Sequence, residues 1–274
     1  MIANFRMYEV APGAARAWRA LFTQVFADTG LDLAIVEHRP PAPLAELYIR
    51  DDLACAFMCG WPFVRSGRMQ AIAAPVPSPA RYEHQARYCS EFLVREASGW
   101  AKLEDAFGHR FGWTAANSQS GFNAPRAHLA RYATPQRASL FSEIRGPLGT
   151  PGAALEALRR SEVDLIALDS FWLDLCRRHE PSKLEGISCI ATTDWTPNPL
   201  LVAAEQVPVS IVERLGGALV RLHEIPAYSA LLADVLVERF VMPDVGSYAR
   251  LEEMAVRARS LRWTGFKRDP GGDH

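Results

Sequence analysis

The residues best suited to chemistry form one stretch, Asn117-Ser118-Gln119-Ser120-Gly121-Phe122-Asn123. A run of mostly small and aromatic residues, Phe111 to Ala116, leads into it, and a helical pattern from Pro125 to Tyr132 follows. A strand, then hydroxyl residues and a glycine, then a helix make a cradle for an anion. The first N–H groups of a helix have no internal acceptor, and the helix dipole leaves partial positive charge there. Ser118 and Ser120 can each donate a hydroxyl proton to an oxyanion. Gly121 lets the backbone approach a ligand with no Cβ in the way. The same residues also suit a plain helix N-cap. Pro125 falls just past the positions where a missing N–H is free, so a distorted first turn is expected.

Other chemistries find little support. There is no G-x-S-x-G elbow and no G-x-x-x-x-G-K phosphate loop, and no histidine is placed by sequence beside Ser118, Ser120 or Cys59. No histidine pair sits at ligand spacing, so no metal, catalytic residue or cofactor is expected. The five cysteines, Cys55, Cys59, Cys89, Cys176 and Cys189, contain no C-x-x-C pair. They read as buried thiols in a reducing compartment rather than a disulfide framework. A net charge of −1 gives no argument for a nucleic-acid partner. No apolar run approaches the ~18 residues that membrane insertion requires. Met1 to Met7 lacks the charged start and apolar core of a signal peptide. That predicts a cytoplasmic protein as written, or a periplasmic one if a leader has been removed.

The elements that must position the stretch follow from periodicity. Strands are expected at Asn4–Tyr8, Leu31–Glu37, Leu53–Cys59 and Met69–Ala74, with helices at Ala14–Ala27 and Leu44–Ile49. This is β-α-β-α-β, the pattern of an open sheet of parallel strands. After Pro75, Pro77 and Pro79 the alternation restarts. Strands are expected at Tyr88–Arg95, Phe111–Ala116, Ala138–Ile144, Val163–Leu168 and Ile187–Thr192. Helices are expected at Trp100–Phe107, Pro125–Tyr132, Pro151–Arg160 and Phe171–Arg178. Beyond Pro197 and Pro199 come a strand, Leu200–Ala204, and helices at Val209–Leu222, Tyr228–Arg239 and Tyr248–Arg259. The tail from Lys267 to His274 reads as disordered. The proline-rich crossings divide the chain into two α/β lobes, 1–85 with 198–274 and 88–193, joined by two connections. Ligands of open α/β sheets lie beyond the carboxyl ends of the strands. Four strand tips qualify: Tyr8, Cys59-Gly60-Trp61, Asn117 to Gly121, and Asp169-Ser170.

Those tips carry a family resemblance. With Met7-Tyr8, Cys59-Gly60-Trp61-Pro62, Asn117-Ser118-x-Ser120-Gly121 and the run Leu155 to Ser170 in this order, the chain resembles the phosphate/phosphonate-type substrate-binding proteins of ABC transporters over about residues 2–260. The resemblance implies a two-lobed type 2 periplasmic-binding-protein fold, a small anionic ligand in a cleft between the lobes, and a transporter permease as partner. It also implies that the Ser-x-Ser-Gly turn holds the anionic group, with a tyrosine after the first strand and an acid at the Asp169 position completing the site. Relatives often carry Gly-Ser-His where this chain has Gly149-Thr150-Pro151. Thr150 keeps a hydroxyl, but a potential cation is lost, which points to a less charged or different ligand.

The candidate ligand residues are Tyr8, Cys59, Gly60, Trp61, Asn117, Ser118, Ser120, Gly121, Thr150, Asp169, Ser170 and Trp195. Trp61 could stack on a ligand or plug the core. Asp169 could accept a ligand amine or cap the following helix, and beside an anion it favours a protonated or zwitterionic ligand. Trp195 and Asn198 lie on the second crossing. Three functions compete: non-catalytic binding of a small anion or zwitterion, an enzyme of a small-metabolite pathway on the same fold, and the sensor lobe of a regulator. An enzyme would need a strongly shifted acid or base, and Asp169 is the only candidate. A regulator would need a helix-turn-helix, which no segment before Tyr8 can hold. The first reading is adopted.

Overall fold

The computed structural model describes residues 1–134 and 139–260. The strand expected at Ala138–Ile144 begins outside these residues, and the tail Lys267–His274 lies wholly outside them. In chain order the first elements are β1 (Ile2–Asn4), α1 (Pro12–Thr29), β2 (Ala34–Ile35), α2 (Leu44–Tyr48), β3 (Leu53–Met58), α3 (Gly60–Ser66), β4 (Met69–Pro77) and β5 (Arg87–Tyr88). There follow β6 (Ser90–Arg95), β7 (Arg110–Gly112), α4 (Ala124–Leu129), β8 (Glu143–Arg145), α5 (Pro151–Arg159), β9 (Leu165–Asp169), α6 (Ser170–His179) and β10 (Ile187–Thr192). The remainder is β11 (Thr196–Pro197), β12 (Leu200–Ala204), α7 (Val209–Leu219), α8 (Ser229–Asp234), β13 (Val237–Val241) and α9 (Ala249–Ser260). Among the described residues no helix is long and apolar enough to cross a membrane.

These elements form two compact units. One comprises Met1–Tyr88, Phe171–Lys183 and Thr196–Tyr248; the other comprises Cys89–Ser170, Leu184–Trp195 and the described residues from Ala249 to Ser260. The sequence reading placed the helix after β9 in the middle block and the C-terminal helix in the first. Here α6 from Phe171 on belongs to the first unit and α9 to the second. Both helices have an apolar face that finds its partner across a chain connection, which periodicity within one segment cannot reveal.

The first unit is built on a six-stranded sheet in the order β13-β4-β12-β3-β1-β2. β1 pairs in parallel with β2 and β3, whereas β12 runs antiparallel to β3 and β4, and β13 antiparallel to β4. The sheet is therefore mixed, not purely parallel. α1 buries Trp18, Leu21, Phe22, Val25 and Phe26 on one stripe, each worth roughly 1.5–3 kcal/mol of transfer free energy. It stops at Gly30, whose φ of 63° is a left-handed cap that glycine adopts at little cost. The stripe meets an aromatic core: Phe5 stacks on Phe22 at 4.0 Å, and the Phe57 ring lies 5.0 Å from Trp18 and 4.9 Å from Tyr8.

Several expectations for this unit need correction. The strand expected through Tyr8 ends at Asn4, and Arg6–Tyr8 forms a 3₁₀ turn. The helix expected over Tyr228–Arg239 stops at Asp234; Leu236 then takes a φ of 53°, and the β-branched and aromatic run from Val237 forms β13. The prolines at 75 and 77 do not end β4. β12 pairs with it only as far as Ala73, so the prolines occupy a stretch with one strand neighbour, where a missing N–H is tolerated. The Pro75 carbonyl is taken by Asn198 Nδ2 at 3.0 Å.

The second unit holds a five-stranded sheet in the order β10-β6-β9-β7-β8. β7 runs parallel to β8 and β9, and β6 antiparallel to β9 and β10. Phe92, Leu103, Phe111, Leu129, Phe141 and Leu165 are buried in its core. The helix expected at Trp100–Phe107 is only a 3₁₀ turn, Leu103–Ala106, bounded by Gly99 and Gly108 at positive φ. The strand expected through Ala116 ends at Gly112. Cys55, Cys89 and Cys176 are buried thiols as expected, but Cys59 is partly exposed and Cys189 exposed.

The turn after β7 is shaped by Pro125. Residues Gln119–Asn123 form one π-helical turn before α4. In an α-helix the N–H of residue 125 would serve the carbonyl of residue 121, and proline has none to give. The Gly121 carbonyl instead accepts from Thr114 N–H at 3.3 Å, which folds the turn back onto the strand that feeds it. The wider turn carries bonds from Asn123 N to the Ser118 carbonyl at 3.0 Å and from Ala124 N to the Gln119 carbonyl. Gly121 has a packing reason. A Cβ there would lie 1.9 Å from Thr114 Oγ1, so the space expected to admit a ligand is filled by Thr114.

The opposite edge of the same sheet is pinned by Asp164. Its carboxylate accepts from Arg110 Nε and Nη2 at 2.8 and 2.9 Å, and from Arg95 Nη2 at 2.8 Å. Arg95 also donates to the carbonyls of Leu158 and Val163. The hydrogen bonds from Arg110, then those from Arg95, hold the Asp164 carboxyl well below the usual carboxylate range. A depressed acid stabilises the fold above its unfolded-state pKa, about 3.9, and loses that contribution as pH falls below it. Asp164→Asn is expected to cost about 2–3 kcal/mol in urea unfolding at pH 7. The difference from the parent chain should shrink as the pH is lowered from 5 towards 3. A constant difference across that range would show that the charge is not the stabilising element. Gly121→Ala is expected to cost about 1–3 kcal/mol from overpacking. Thr114→Ala in the same chain should recover part of that loss, which a double-mutant cycle of melting curves measures.

Candidate oxyanion-binding turn

In the second unit the topology gathers the sequence candidates on one edge of the sheet. β7 and β9 are parallel, so both carboxyl ends point the same way. β6 is antiparallel to β9 with Ser90 opposite Asp169, which brings the start of β6 to that edge. The end of β10 joins them, because Thr192 pairs with Glu91. The turn after β7, the Asp169-Ser170 tip, Ser90 and Thr193 therefore share one edge.

At the turn, Ser118 is the N-cap. Its Oγ accepts from Gly121 N–H at 2.9 Å. An accepting hydroxyl keeps its own proton, so Ser118 can cap and still donate outward. Ser120 is not the cap. It is buried within the π turn, and its hydroxyl has no hydrogen-bond partner among the described residues. Asn117 is exposed at the start of the turn. The Arg126 guanidinium, one turn further on, lies over the Phe122 ring at 4.6 Å and adds a cation the motif did not advertise.

The other candidates of this unit are placed as follows. Asp169 ends β9 and is only 6% exposed. Ser170 is fully buried; its Oγ accepts from Cys89 N–H at 3.2 Å, and its own N–H donates to the Cys89 carbonyl. That is a structural use of the hydroxyl. Thr150 caps α5, accepting from Ala153 N–H at 3.1 Å, with Pro151 at the first helical position. Trp195 is half-buried.

Sequence reasoning missed the polar residues around the turn. Thr114 Oγ1, Gln119 Nε2, Asn123 Oδ1 and Ser90 Oγ are buried without a hydrogen-bond partner among the described residues. Such atoms carry a desolvation cost of about 1–3 kcal/mol each unless something satisfies them. Only the motif itself, rich in amides and hydroxyls, hinted at them. Ser90 gave no signal, because its place depends on strand pairing.

In the first unit the tips of the adjacent strands β1 and β3 carry Arg6–Tyr8 and Cys59–Trp61. Tyr8 is fully buried, its ring 4.9 Å from Phe57 and from Phe171 in edge contact, so it packs among core aromatics. Trp61 is also fully buried, with the Arg65 guanidinium 5.2 Å from its ring. Gly60 opens α3, an element periodicity did not expose, and the partly exposed Cys59 is its N-cap. Tyr48 donates to the Phe57 carbonyl at 2.7 Å, and burial drives its pKa well up. Arg6 reaches the Ala42 carbonyl. Burial raises the carboxyl pKa of the nearby Glu9.

Comparison with known proteins bears on what these tips do. No match is found among curated proteins. Solved structures share the fold at low identity. A binding-protein component of an ABC phosphonate transporter from Pseudomonas aeruginosa superposes with a TM-score of 0.79 at 15% identity, covering 95% of this chain and 87% of its own. PhnD1 from Prochlorococcus marinus, solved with methylphosphonate, gives 0.75 at 14% identity over 96% and 98%. A Xanthomonas citri protein solved with ATP gives 0.65 at 16% identity over 96% and 98%. The fold is therefore the two-lobed type 2 periplasmic-binding-protein fold. The family model for the phosphonate periplasmic substrate-binding protein of ABC transporters matches residues 9–248. The chain thus belongs to the phosphonate-binding family of ABC-transporter substrate-binding proteins, which hold a small ligand and hand it to a transporter permease.

Proposed function

We propose that the turn after β7 is where this chain holds the oxyanion of a small phosphonate-like ligand, and that the ligand is passed on chemically unchanged. The observation that carries this is Ser118. Its oxygen is occupied by Gly121 N–H, which fixes the rotor and leaves the proton free to donate. Ser120, with its unengaged hydroxyl, adds a second donor within the same turn. Asp169 sits on the same sheet edge, and a carboxylate there disfavours a dianion. It favours a monoanion, or a zwitterion whose amine it can accept. Loss of the family histidine to Pro151 acts in the same direction, by removing a cation. Family membership supports work in the periplasm and a role without bond-making chemistry. Binding of methylphosphonate by PhnD1 makes that compound a suitable first probe.

Titration calorimetry with methylphosphonate and with inorganic phosphate tests the reading, run beside melting curves. A hydrogen bond to a charged group is worth about 1.5–3 kcal/mol. Ser120→Ala should therefore weaken binding about tenfold to a hundredfold with little change in melting temperature. Ser118→Ala should weaken binding similarly and also lower stability by about 1 kcal/mol, because the cap is lost. Unchanged affinity in both variants, with a lowered melting point for Ser118→Ala alone, would reduce the turn to a structural cap. Absence of saturable binding of either probe to the parent chain would remove the ligand class.

A further inference from the structure

We propose that Asn123 is a positioning residue for ligand binding, and that through it the C-terminal helix α9 sets the shape of the oxyanion turn. This rests on the reading of that turn as the ligand site and adds a segment that the motif does not contain. Asn123 closes the π turn and is fully buried. Both N–H donors of its amide are used. One reaches Gln119 Oε1 at 2.7 Å, tying the last residue of the turn to its first. The other reaches the Leu251 carbonyl at 2.9 Å, in the first turn of α9.

α9 packs along both α4 and the π turn, with Leu251, Ala255 and Ala258 buried on one stripe. Spacings of four and three residues put these side chains on one helix face. The turn is thus held on two sides. Thr114 N–H draws the Gly121 carbonyl toward the strand, and the Asn123 amide draws the end of the turn toward α9. Ser118 and Ser120 lie directly before these two anchor points in the chain. A π turn is an uncommon backbone form that persists where its surroundings over-determine it. Thr114 Oγ1, Gln119 Nε2 and Asn123 Oδ1 are buried with no partner among the described residues, so these atoms add no hydrogen bond to the two anchors. Releasing the α9 anchor leaves the Gln119 and Asn123 amides to find new partners, and the end of the π turn is free to shift. That moves the Ser118 and Ser120 hydroxyls relative to each other, and a donor pair must be held to about 0.5 Å to keep its geometry.

The test uses the full chain with methylphosphonate and inorganic phosphate as probes. Asn123→Leu keeps a similar volume and removes both donors. Leu251→Ala leaves the turn's own residues intact and loosens the seating of α9. Both are expected to raise the calorimetric Kd by about tenfold or more while the number of sites per chain stays near one. Amide exchange at Gly121 and Asn123 should quicken in both variants. A merely structural role would do the reverse, lowering the number of competent sites and leaving the Kd of the folded fraction unchanged. That outcome would overturn the proposal. So would parental affinity in Asn123→Leu and Leu251→Ala while Ser118→Ala and Ser120→Ala lose theirs. If the serine variants bind as the parent does, the turn itself is not the site and the proposal falls with it. Should Asn123→Leu fail to fold, Asn123→Asp, which also lacks the donors, and Leu251→Ala decide by the same readouts.

Discussion

One missing hydrogen sets the shape of the candidate site. Pro125 has no N–H, so the Gly121 carbonyl must look elsewhere, and it finds Thr114 on the incoming chain. That bond brings the glycine so close to Thr114 that no side chain fits at 121. It also accommodates the π turn in which Ser118 caps and Ser120 is enclosed. The hydroxyls are presented as they are because the backbone beneath them could not form an ordinary first turn of helix.

The two edges of the second sheet divide the electrostatics between them. At one edge Asp164 is satisfied by two arginines and is held deprotonated. At the other lie hydroxyls and amides with unused hydrogen-bonding capacity, beside the buried carboxylate of Asp169. A fully paired charge cluster fixes strand ends in place and leaves no capacity for a ligand. That edge presents neutral hydroxyls and amides, with the Arg126 guanidinium as the cation beside them. Division of labour along one set of strands lets the sheet be stiff where it is pinned and receptive where it is not.

Much of this was legible in the sequence. The Ser-x-Ser-Gly stretch at a strand tip was read from residue types alone, and so was the distortion that Pro125 imposes. The family resemblance followed from four tips in order, and the family match over residues 9–248 agrees with it. What the sequence hid was non-local. Asn123 bonds the Leu251 carbonyl, 128 positions away, and a lone asparagine gives no sign of such a partner. Ser90 reaches the site edge only through pairing with Asp169. The strand Val237–Val241 was hidden inside an apolar run that also fits a helix, because its sheet neighbour, β4, is set by tertiary pairing. Pro75 and Pro77 read as breakers because the loss of the β12 neighbour beyond Ala73 cannot be seen from within the segment.

The placement of α9 has a consequence for how the molecule comes into being. A chain is made from its N-terminus, and domains tend to fold as their residues emerge. The second unit, however, draws α9 from beyond Tyr248, after every described strand of both sheets has already been synthesised. The Asn123 amide therefore has no Leu251 carbonyl to bond until the chain has passed residue 251, long after the turn itself has emerged. The nascent protein can lay down its sheets first, and the bond that ties the turn to α9 forms only afterwards, so strand pairing and completion of the turn are separated in time.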